Sequence, residues 1–267
     1  MAGPDISINW VKLRKRVFSR TTARGVTSIV VFTLLWETCA KLGVPIISNV
    51  PAPSSVLAAL GQQLVSPNYW IAWRDSFVRI LTGFVIAQII GIPIGLLLGV
   101  NRTARDLIYP LFEIMRPIPP LAWTPIAVIF WPTSELSMMF VTFLGAFFTV
   151  VLNIVGGARS IDTRYIRAAM SLGSSPWDIF KSVMLPATLP SIVVGMTVGI
   201  GITWAVVVAA EMIASSPGLG FLTWRAYVAG EYPLIIIGMM SIGIAGYISS
   251  ALIRFIGSRV TPWLRTS

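Results

Sequence analysis

The sequence predicts an all-α membrane protein with about six transmembrane helices. Of its 267 residues, 55% are hydrophobic and 11% are charged, and the mean hydropathy is +0.82. A soluble domain typically carries about a quarter charged residues, so this chain is too apolar for water. A helix needs about 20 apolar residues to cross a bilayer, and the chain length allows about six such helices in one domain.

Six apolar segments follow one another along the chain. They lie at 25–43, 77–100, 107–131, 136–158, 188–214 and 233–256. The third is the least regular because it contains Pro110, Pro117, Pro119 and Pro120, and we expect its helix to break there. We assign 25–257 to the transmembrane domain and the flanking stretches, 1–24 and 258–267, to short basic tails.

The positions of the basic residues predict the topology. Most of the 20 Lys and Arg residues lie in the two tails, in the 101–106 loop and in the 159–186 stretch, which share one side if the spans alternate. The segment 42–73 on the other side has no Lys or Arg. Cytoplasmic loops are enriched in these residues, so both termini are expected in the cytoplasm, with the first span retained and not cleaved as a signal peptide. This topological use of the +10 net charge makes nucleic-acid binding a poor explanation.

The composition excludes several kinds of site. The chain has no His and one cysteine, Cys39, so it lacks the residues for a zinc site or for histidine-based catalysis. No G-x-x-x-x-G-K-[ST] phosphate loop occurs, so ATP must be bound elsewhere. We expect no catalytic residue, metal or cofactor on this chain; a membrane enzyme and an ion-coupled secondary carrier are the alternatives from other classes.

Two patterns predict local structure in the membrane domain. Residues 44–63 contain Ser54 and Ser55, either of which could cap a short helix on the outer surface, although an ordinary loop is an equal alternative. Glycines recur every four residues in the second span and again in the fifth, which favours close approach of neighbouring helices. These glycines are Gly91, Gly95, Gly99, Gly195 and Gly199.

The polar stretch after the fourth span, which we call the elbow (160–186), predicts two short helices. Asp162 is a suitable N-cap for a helix over about 163–172, and Gly173 suits its C-terminal stop. Ser175, Pro176 and Asp178 have the spacing of a capping box that begins a second helix.

Beyond the second elbow helix, Pro186 and Pro190 predict a turn into the fifth span. The elbow is polar enough to leave the membrane.

The elbow resembles a known family motif. Ala168-Ala169, Gly173 four residues later, and Val183-x-Leu185-Pro186 are similar to the "EAA" loop of the permease subunits of ABC importers. In that family this loop forms a coupling helix that docks on a cytoplasmic ATPase. The resemblance implies a coupling role for Arg164, Tyr165, Ile166, Arg167, Ala168, Ala169, Leu172 and Gly173, with Lys181 at the rim.

The resemblance extends over about 25–263 and is greatest to the taurine, alkanesulfonate and nitrate permeases. The segments "PAPSSVLAAL", "RPIPPLAWTPIAVIF", "IRAAMSLGSS", "VVVAAEMIASSPGLGF" and "TPW" match that branch. Two features depart from the family: Arg167 replaces the usual acidic residue, and "FWPTSE" replaces a glycine-containing turn.

The same resemblance implies the partners and the substrate. We expect a multi-pass protein of the bacterial inner membrane that pairs with a second permease copy, two ATPase subunits carrying ATP and Mg, and a periplasmic or lipid-anchored solute-binding protein. The expected substrate is a small anion, with taurine or another alkanesulfonate first and nitrate or bicarbonate as alternatives.

Ionisable residues at membrane depth cost about 2.5–3.5 kcal/mol each on insertion scales, so they usually face a partner or a cavity. Glu113 and Arg116 lie three residues apart and can pair, and the break at Pro117 and Pro119 is typical of a transport path. Arg116 is therefore a candidate for attracting an anionic substrate. The alternatives are that it stays paired with Glu113 or anchors at the headgroups.

The family places the block containing Glu211, which follows Trp204, in the path or its outer gate. A carboxylate is a poor ligand for an anion, so we expect Glu211 to act in gating or in structural pairing. The following turn, 215–220, is a candidate docking surface for a solute-binding protein together with Arg225 and Glu231, or else an ordinary turn.

Overall fold

The computed structural model describes residues 20–43 and 49–263, and every regular element within them is a helix. Side chains are described from Arg24 onward, with the same gap. Most of the predicted basic N-terminal tail, residues 44–48 and Arg265 lie outside the described residues.

The helices follow the predicted order of apolar segments. The first six are α1 (Arg20–Lys41), α2 (Pro53–Val65), α3 (Pro67–Val100), α4 (Arg102–Met115), α5 (Thr124–Phe130) and α6 (Ser134–Arg159). The others are α7 (Thr163–Ser171), α8 (Pro176–Ile179), α9 (Leu185–Ile213), α10 (Leu219–Ala229) and α11 (Tyr232–Val260). A 3-10 turn at Pro120–Trp123 precedes α5, and a π-helical segment at Phe180–Met184 joins α8 to α9.

Four of the described helices are long and apolar enough to cross a bilayer: α3, α6, the continuous helix Pro176–Ile213 and α11. The third apolar segment is broken as predicted. Its helix α4 ends at Met115, and the chain resumes a helix only at Pro120. Proline has no backbone N–H to donate to the helix, so the prolines of this stretch end α4.

Helix α6 is the centre of the bundle, with α3 on one side and α9 on the other. Its residues Ala146, Val150 and Ile154 have no exposed surface. A Cβ added at Gly95 of α3 would lie 2.9 Å from the Ile154 Cβ, and one added at Gly199 of α9 would lie 3.6 Å from the Ala146 Cα. The predicted close approach at the glycines is confirmed, and it brings both neighbours onto α6.

The predicted cap of α2 is wrong. The N-cap is Ala52, which has no side-chain cap, and Ser54 lies inside the helix. The Glu37 carboxylate of α1 accepts hydrogen bonds from the Ser54 N–H (3.0 Å) and Oγ (2.8 Å). An anion from another helix therefore satisfies the first turn, and Lys41 Nζ contacts the same carboxylate at 2.7 Å.

The predicted turn into the fifth span is also wrong. Helix α8 continues through the π-helical segment into α9, with Pro186 in the first turn of α9 and Pro190 inside it. A proline is tolerated in the first turn of an α-helix, which is where Pro186 lies. The short helix predicted as one alternative within 44–63 is present as α2, and α3 begins soon after it at Pro67.

Replacing Gly83 by Ala should destabilise the fold. A Cβ there would lie 2.7 Å from the Met139 carbonyl oxygen and 2.9 Å from the Phe143 nitrogen, both backbone atoms of α6. Overpacking of this kind costs about 1–3 kcal/mol, which thermal unfolding in detergent would report as a lower Tm.

The matched control is Gly201→Ala, since no atom lies within 4 Å of a Cβ at Gly201. It should unfold at or above the Tm of the unchanged protein. Equal Tm values for the two variants would contradict the packing of α3 on α6.

Candidate functional site

A charged side chain from α3, Arg79, is buried near the end of the bundle where α6 begins and α9 ends. Only 1% of its side chain is exposed. Its Nη1 lies 2.8 Å from Oε1 of Glu211, which has no exposed side-chain surface. Its Nε donates to Oε2 of Glu135 at 2.7 Å, and its Nη2 donates to Oε1 of the same carboxylate. The guanidinium thus joins α3 to both α6 and α9.

The Glu211 carboxylate also holds the chain that follows α9. Its Oε2 accepts from the Gly220 N–H at 2.9 Å, and its Oε1 accepts from Ser76 Oγ at 2.7 Å. Ser76 Oγ in turn accepts from the Leu219 N–H at 2.9 Å. A negative charge beside the first N–H groups of α10 is stabilising, because those groups have no partner inside the helix.

The glycines of this turn are needed for close approach. A Cβ at Gly218 would collide with the Glu211 carboxylate, and one at Gly220 would collide with the Val208 backbone. Arg79 Nη1 also donates to the Pro217 carbonyl oxygen. We call Ser76, Arg79, Glu135, Glu211 and the 217–220 backbone the buried charge network.

The contacts of the buried charge network indicate a structural role. It holds one cation and two carboxylates, and Glu135 is 53% exposed, so water solvates part of the excess negative charge. Every charged oxygen of Glu211 has a donor. Among the described residues, no group of three His, Cys, Asp or Glu side chains could hold a metal ion.

Three side chains of the network, Ser76, Arg79 and Glu135, were not among the predicted site residues. One signal could have found Arg79, since an arginine within an apolar segment usually has a specific partner. Glu211 was predicted to act in gating or structural pairing, and its contacts are those of structural pairing.

The elbow lies at the opposite end of α9, and its predicted local structure is confirmed. The Asp162 side chain accepts from the Arg164 N–H at 2.8 Å, which caps α7. Gly173 has a φ of +80°, and the Ser174 N–H donates to the Ala169 carbonyl at 3.1 Å. The left-handed conformation at Gly173 closes α7 because a glycine adopts it without steric cost.

The capping box at the start of α8 is confirmed as well. Ser175 Oγ accepts from the Asp178 N–H at 3.3 Å, and Asp178 Oδ2 accepts from the Ser175 N–H at 3.2 Å. Both short helices of the elbow therefore begin with satisfied backbone donors, which makes them rigid.

The elbow exposes large apolar side chains. Tyr165 is 67% exposed, Leu172 is 86% exposed and Trp177 is 67% exposed. None of the eight predicted coupling residues is buried, and α7 has no buried residue at all. A cluster of apolar side chains on a polar surface is typical of a protein–protein contact.

The other predicted path residues do not meet at one place. Glu113 and Arg116 are both exposed, and within the described residues no ion pair joins them, so the predicted pairing is not found. Pro117 and Pro119 lie in the turn after α4.

Trp204 is 3% exposed in the core between α3, α9 and α11, with its Nε1 3.2 Å from Ser249 Oγ. The ring of Phe77 packs edge-on against it. Its role in a path stays a prediction.

The predicted docking residues Arg225 and Glu231 line a cavity of about 530 Å³ at the network end of the bundle. Gln63, Asn68 and Pro217 line it too, so α2, the start of α3 and the turn before α10 all contribute to it.

Residues 91–266 match the protein family described as binding-protein-dependent transport system inner membrane component. The chain belongs to this family. The resemblance to ABC-importer permeases is confirmed, and the chain is an integral membrane permease subunit of an ABC importer.

Three relatives of the permease are similar over most of their length. It is 32% identical to the nitrate import permease protein of Synechocystis sp., covering 92% of each chain. It is 32% identical to the taurine transport system permease protein of Escherichia coli, covering 92% of this chain and 91% of that one. It is 31% identical to the bicarbonate transport system permease protein of Synechococcus elongatus, covering 84% of each.

A solved structure supports the fold. The methionine ABC transporter MetNI, in an inward-facing conformation, aligns with a TM-score of 0.57 at 23% identity, over 74% of this permease and 97% of that chain. The all-α type I permease fold predicted from the sequence is confirmed.

Replacing Glu211 by Ala should strongly destabilise the permease. The change removes one partner of a buried pair and leaves Arg79 with a single carboxylate, which typically costs about 3–5 kcal/mol. The measurement is the midpoint of denaturant unfolding of the purified permease in detergent.

Glu135→Ala is the matched control, since Glu135 is 53% exposed and its loss should cost clearly less. Replacing both Arg79 and Glu211 by Met should recover part of the loss, because no unpaired charge then stays buried. If Glu211→Ala and Glu135→Ala cost the same, the buried pair does not have this role.

Proposed function

We propose that this permease is the membrane subunit of an ATP-driven importer of a small oxyanion, with taurine or another alkanesulfonate as the leading substrate. The observation that carries the proposal is the exposed, doubly capped elbow on a chain of the ABC-importer family. Nitrate and bicarbonate are the alternative substrates, favoured by relatives named for each of them.

The elbow has the properties of a docking element for an ATPase subunit. Its helices are capped at their starts and α7 is closed by Gly173, so they keep their shape when another protein pushes on them. Burial of the Leu172 and Trp177 side chains against a partner would stabilise the complex. The small Ala168 and Ala169 let a partner backbone approach. Arg164 and Arg167 would lie at the rim of this contact.

One continuous helix connects the elbow to the far end of the bundle. The helix Pro176–Ile213 runs without a break for 38 residues, or roughly 55 Å at the rise of an α-helix. Glu211 of the buried charge network lies near its other end. A displacement of α8 by an ATPase would therefore move α9 and the turn that Glu211 holds.

The remaining partners follow from the same proposal. ATP and Mg would bind on two separate ATPase subunits, since this chain has no phosphate loop. A second permease copy would complete the path across a two-fold axis. With both termini in the cytoplasm, the cavity beside Arg225 and Glu231 would face a solute-binding protein on the outer side.

Leu172→Ser should weaken the complex with the ATPase without destabilising the permease. The side chain is 86% exposed in the isolated subunit, so only a partner can bury it. Burial of a leucine stabilises by about 1.5–3 kcal/mol, and its loss should lower the affinity for the ATPase by roughly tenfold or more. Co-purification of the ATPase with the tagged permease is the measurement.

Leu57→Ser on α2 is the control for this experiment, since Leu57 is 67% exposed and far from the elbow. It should keep the ATPase bound. An unchanged yield of ATPase with Leu172→Ser would argue against docking through the elbow.

Gly173→Val should reduce ATP-driven uptake while the protein still inserts in the membrane. The φ of +80° is strained for any β-branched residue, so the end of α7 must reorganise. Gly173→Asn is the control because asparagine tolerates this conformation, and it should retain most of the uptake.

The measurement is uptake of labelled taurine, nitrate and bicarbonate, each tested in turn in cells with the complete transporter. Equal uptake by the Val and Asn variants would contradict the role of the closed elbow. If none of the three anions is taken up by the unchanged transporter, the proposed substrate class is wrong.

A further inference from the structure

A second cavity lies between α4, α6 and α9 at the elbow end of the bundle. Its volume is about 530 Å³, within the range of ligand pockets. Its polar lining consists of Tyr109, Arg116, Asn153, Arg159, Ser160 and Ser191. None of the lining residues is acidic, so the cavity carries two positive charges and no negative one.

Neither arginine of this cavity forms an ion pair within the described residues. In that part of the chain, no carboxylate lies within 4.0 Å of the guanidinium of Arg116 or Arg159. Among the same residues Arg225 and Arg254 also lack such a partner, but they do not line this cavity. The side chains of Arg116 and Arg159 are exposed, and both residues line the cavity. A guanidinium with no carboxylate partner keeps its fork of N–H donors for another oxyanion.

The helix backbones leave room for a ligand beside these arginines. No atom lies within 4 Å of a Cβ added at Gly156, whereas one added at Gly157 would collide with Ser191. Gly157 therefore brings α9 close to α6, and Gly156 leaves open space one residue away. The Asn153 Nδ2 is held by the Thr149 carbonyl at 2.8 Å, which fixes the amide at the wall of the cavity.

We propose that this cavity binds an oxyanion group, with Arg116 and Arg159 as its charged ligands. The inference rests on the proposed function, and it deepens it: the cavity would hold the imported sulfonate, nitrate or bicarbonate on the elbow side before release. Arg159 ends α6 four residues before α7 begins, so an anion here would contact the segment that carries the elbow. The phosphate of an anionic lipid headgroup offers the same chemistry from a different source.

The charge of the cavity can be measured through a single thiol. The chain has one cysteine, so in a Cys39→Ser background Ser160→Cys adds the only thiol of the permease, and its labelling is read on the separated permease subunit. The complete transporter in membrane vesicles is treated with a methanethiosulfonate bearing either a sulfonate or a trimethylammonium group. The ratio of the two reaction rates should favour the sulfonate, and Arg116→Gln with Arg159→Gln should lower that ratio by about tenfold.

Arg254→Gln is the matched control, since Arg254 is an exposed arginine of α11 that does not line the cavity. It should leave the ratio unchanged. An equal ratio with and without the two cavity arginines would overturn the proposal, as would an equal fall with Arg254→Gln.

The source of the oxyanion is tested by protection of the same thiol. Slower reaction with taurine, nitrate or bicarbonate in the buffer supports the transported anion as the ligand. The thiol could instead react more slowly only in phosphatidylglycerol vesicles, compared with phosphatidylcholine vesicles. That result would support an oxyanion site but overturn its assignment to the transported anion. Protection by neither overturns the site.

The test of the cavity and the test of the elbow can fail separately. If the cavity fails these tests while Leu172→Ser still releases the ATPase, docking through the elbow stands and the anion site does not. If the elbow fails its test and the cavity passes, the anion site stands and docking through the elbow does not.

Discussion

The fold depends on one ion pair, between Arg79 and Glu211, which the bundle buries almost completely. Taking two charges out of water costs several kcal/mol for each ion, and only well-placed partners offset that cost. The partners here come from separate parts of the chain, since Ser76 lies on α3, Glu135 on α6 and the Gly220 N–H on α10. The charges can be satisfied only when these elements are all in place, so the pair selects one arrangement of this end of the bundle.

The two ends of α9 have different physical characters. At the elbow end the chain presents short, locally capped helices with exposed apolar side chains such as Leu172, which suits contact with another protein. At the network end the chain is fixed internally through Glu211 and the close approach at Gly218. A helix that is attached firmly at one end and exposed at the other passes a displacement along its length, because its backbone hydrogen bonds keep it rigid.

The features that could be predicted from the sequence are those that depend on residues close together in the chain. The caps at Asp162 and Ser175 and the stop at Gly173 were all foreseen, since each involves hydrogen bonds over a few residues. The pairing of Arg79 with Glu211 joins residues 132 positions apart, and nothing in the local sequence specifies it. The predicted cap of α2 is wrong for the same reason, because its anion comes from α1. The predicted turn at Pro186 is wrong because this proline lies in the first turn of α9, where the helix tolerates it.

The glycine contacts of α6 have a consequence for how such a subunit can move. Where α3 packs on α6 at Gly95, and α9 packs on α6 at Gly199, the side chains on either side of the glycine interdigitate with those of α6. If one helix slid along its axis past its neighbour, these side chains would clash, and a close-packed interior does not tolerate such clashes. The three central helices therefore form one stiff unit, and a change of access to a path through this subunit would require that unit to tilt as a whole rather than its helices to slide past one another.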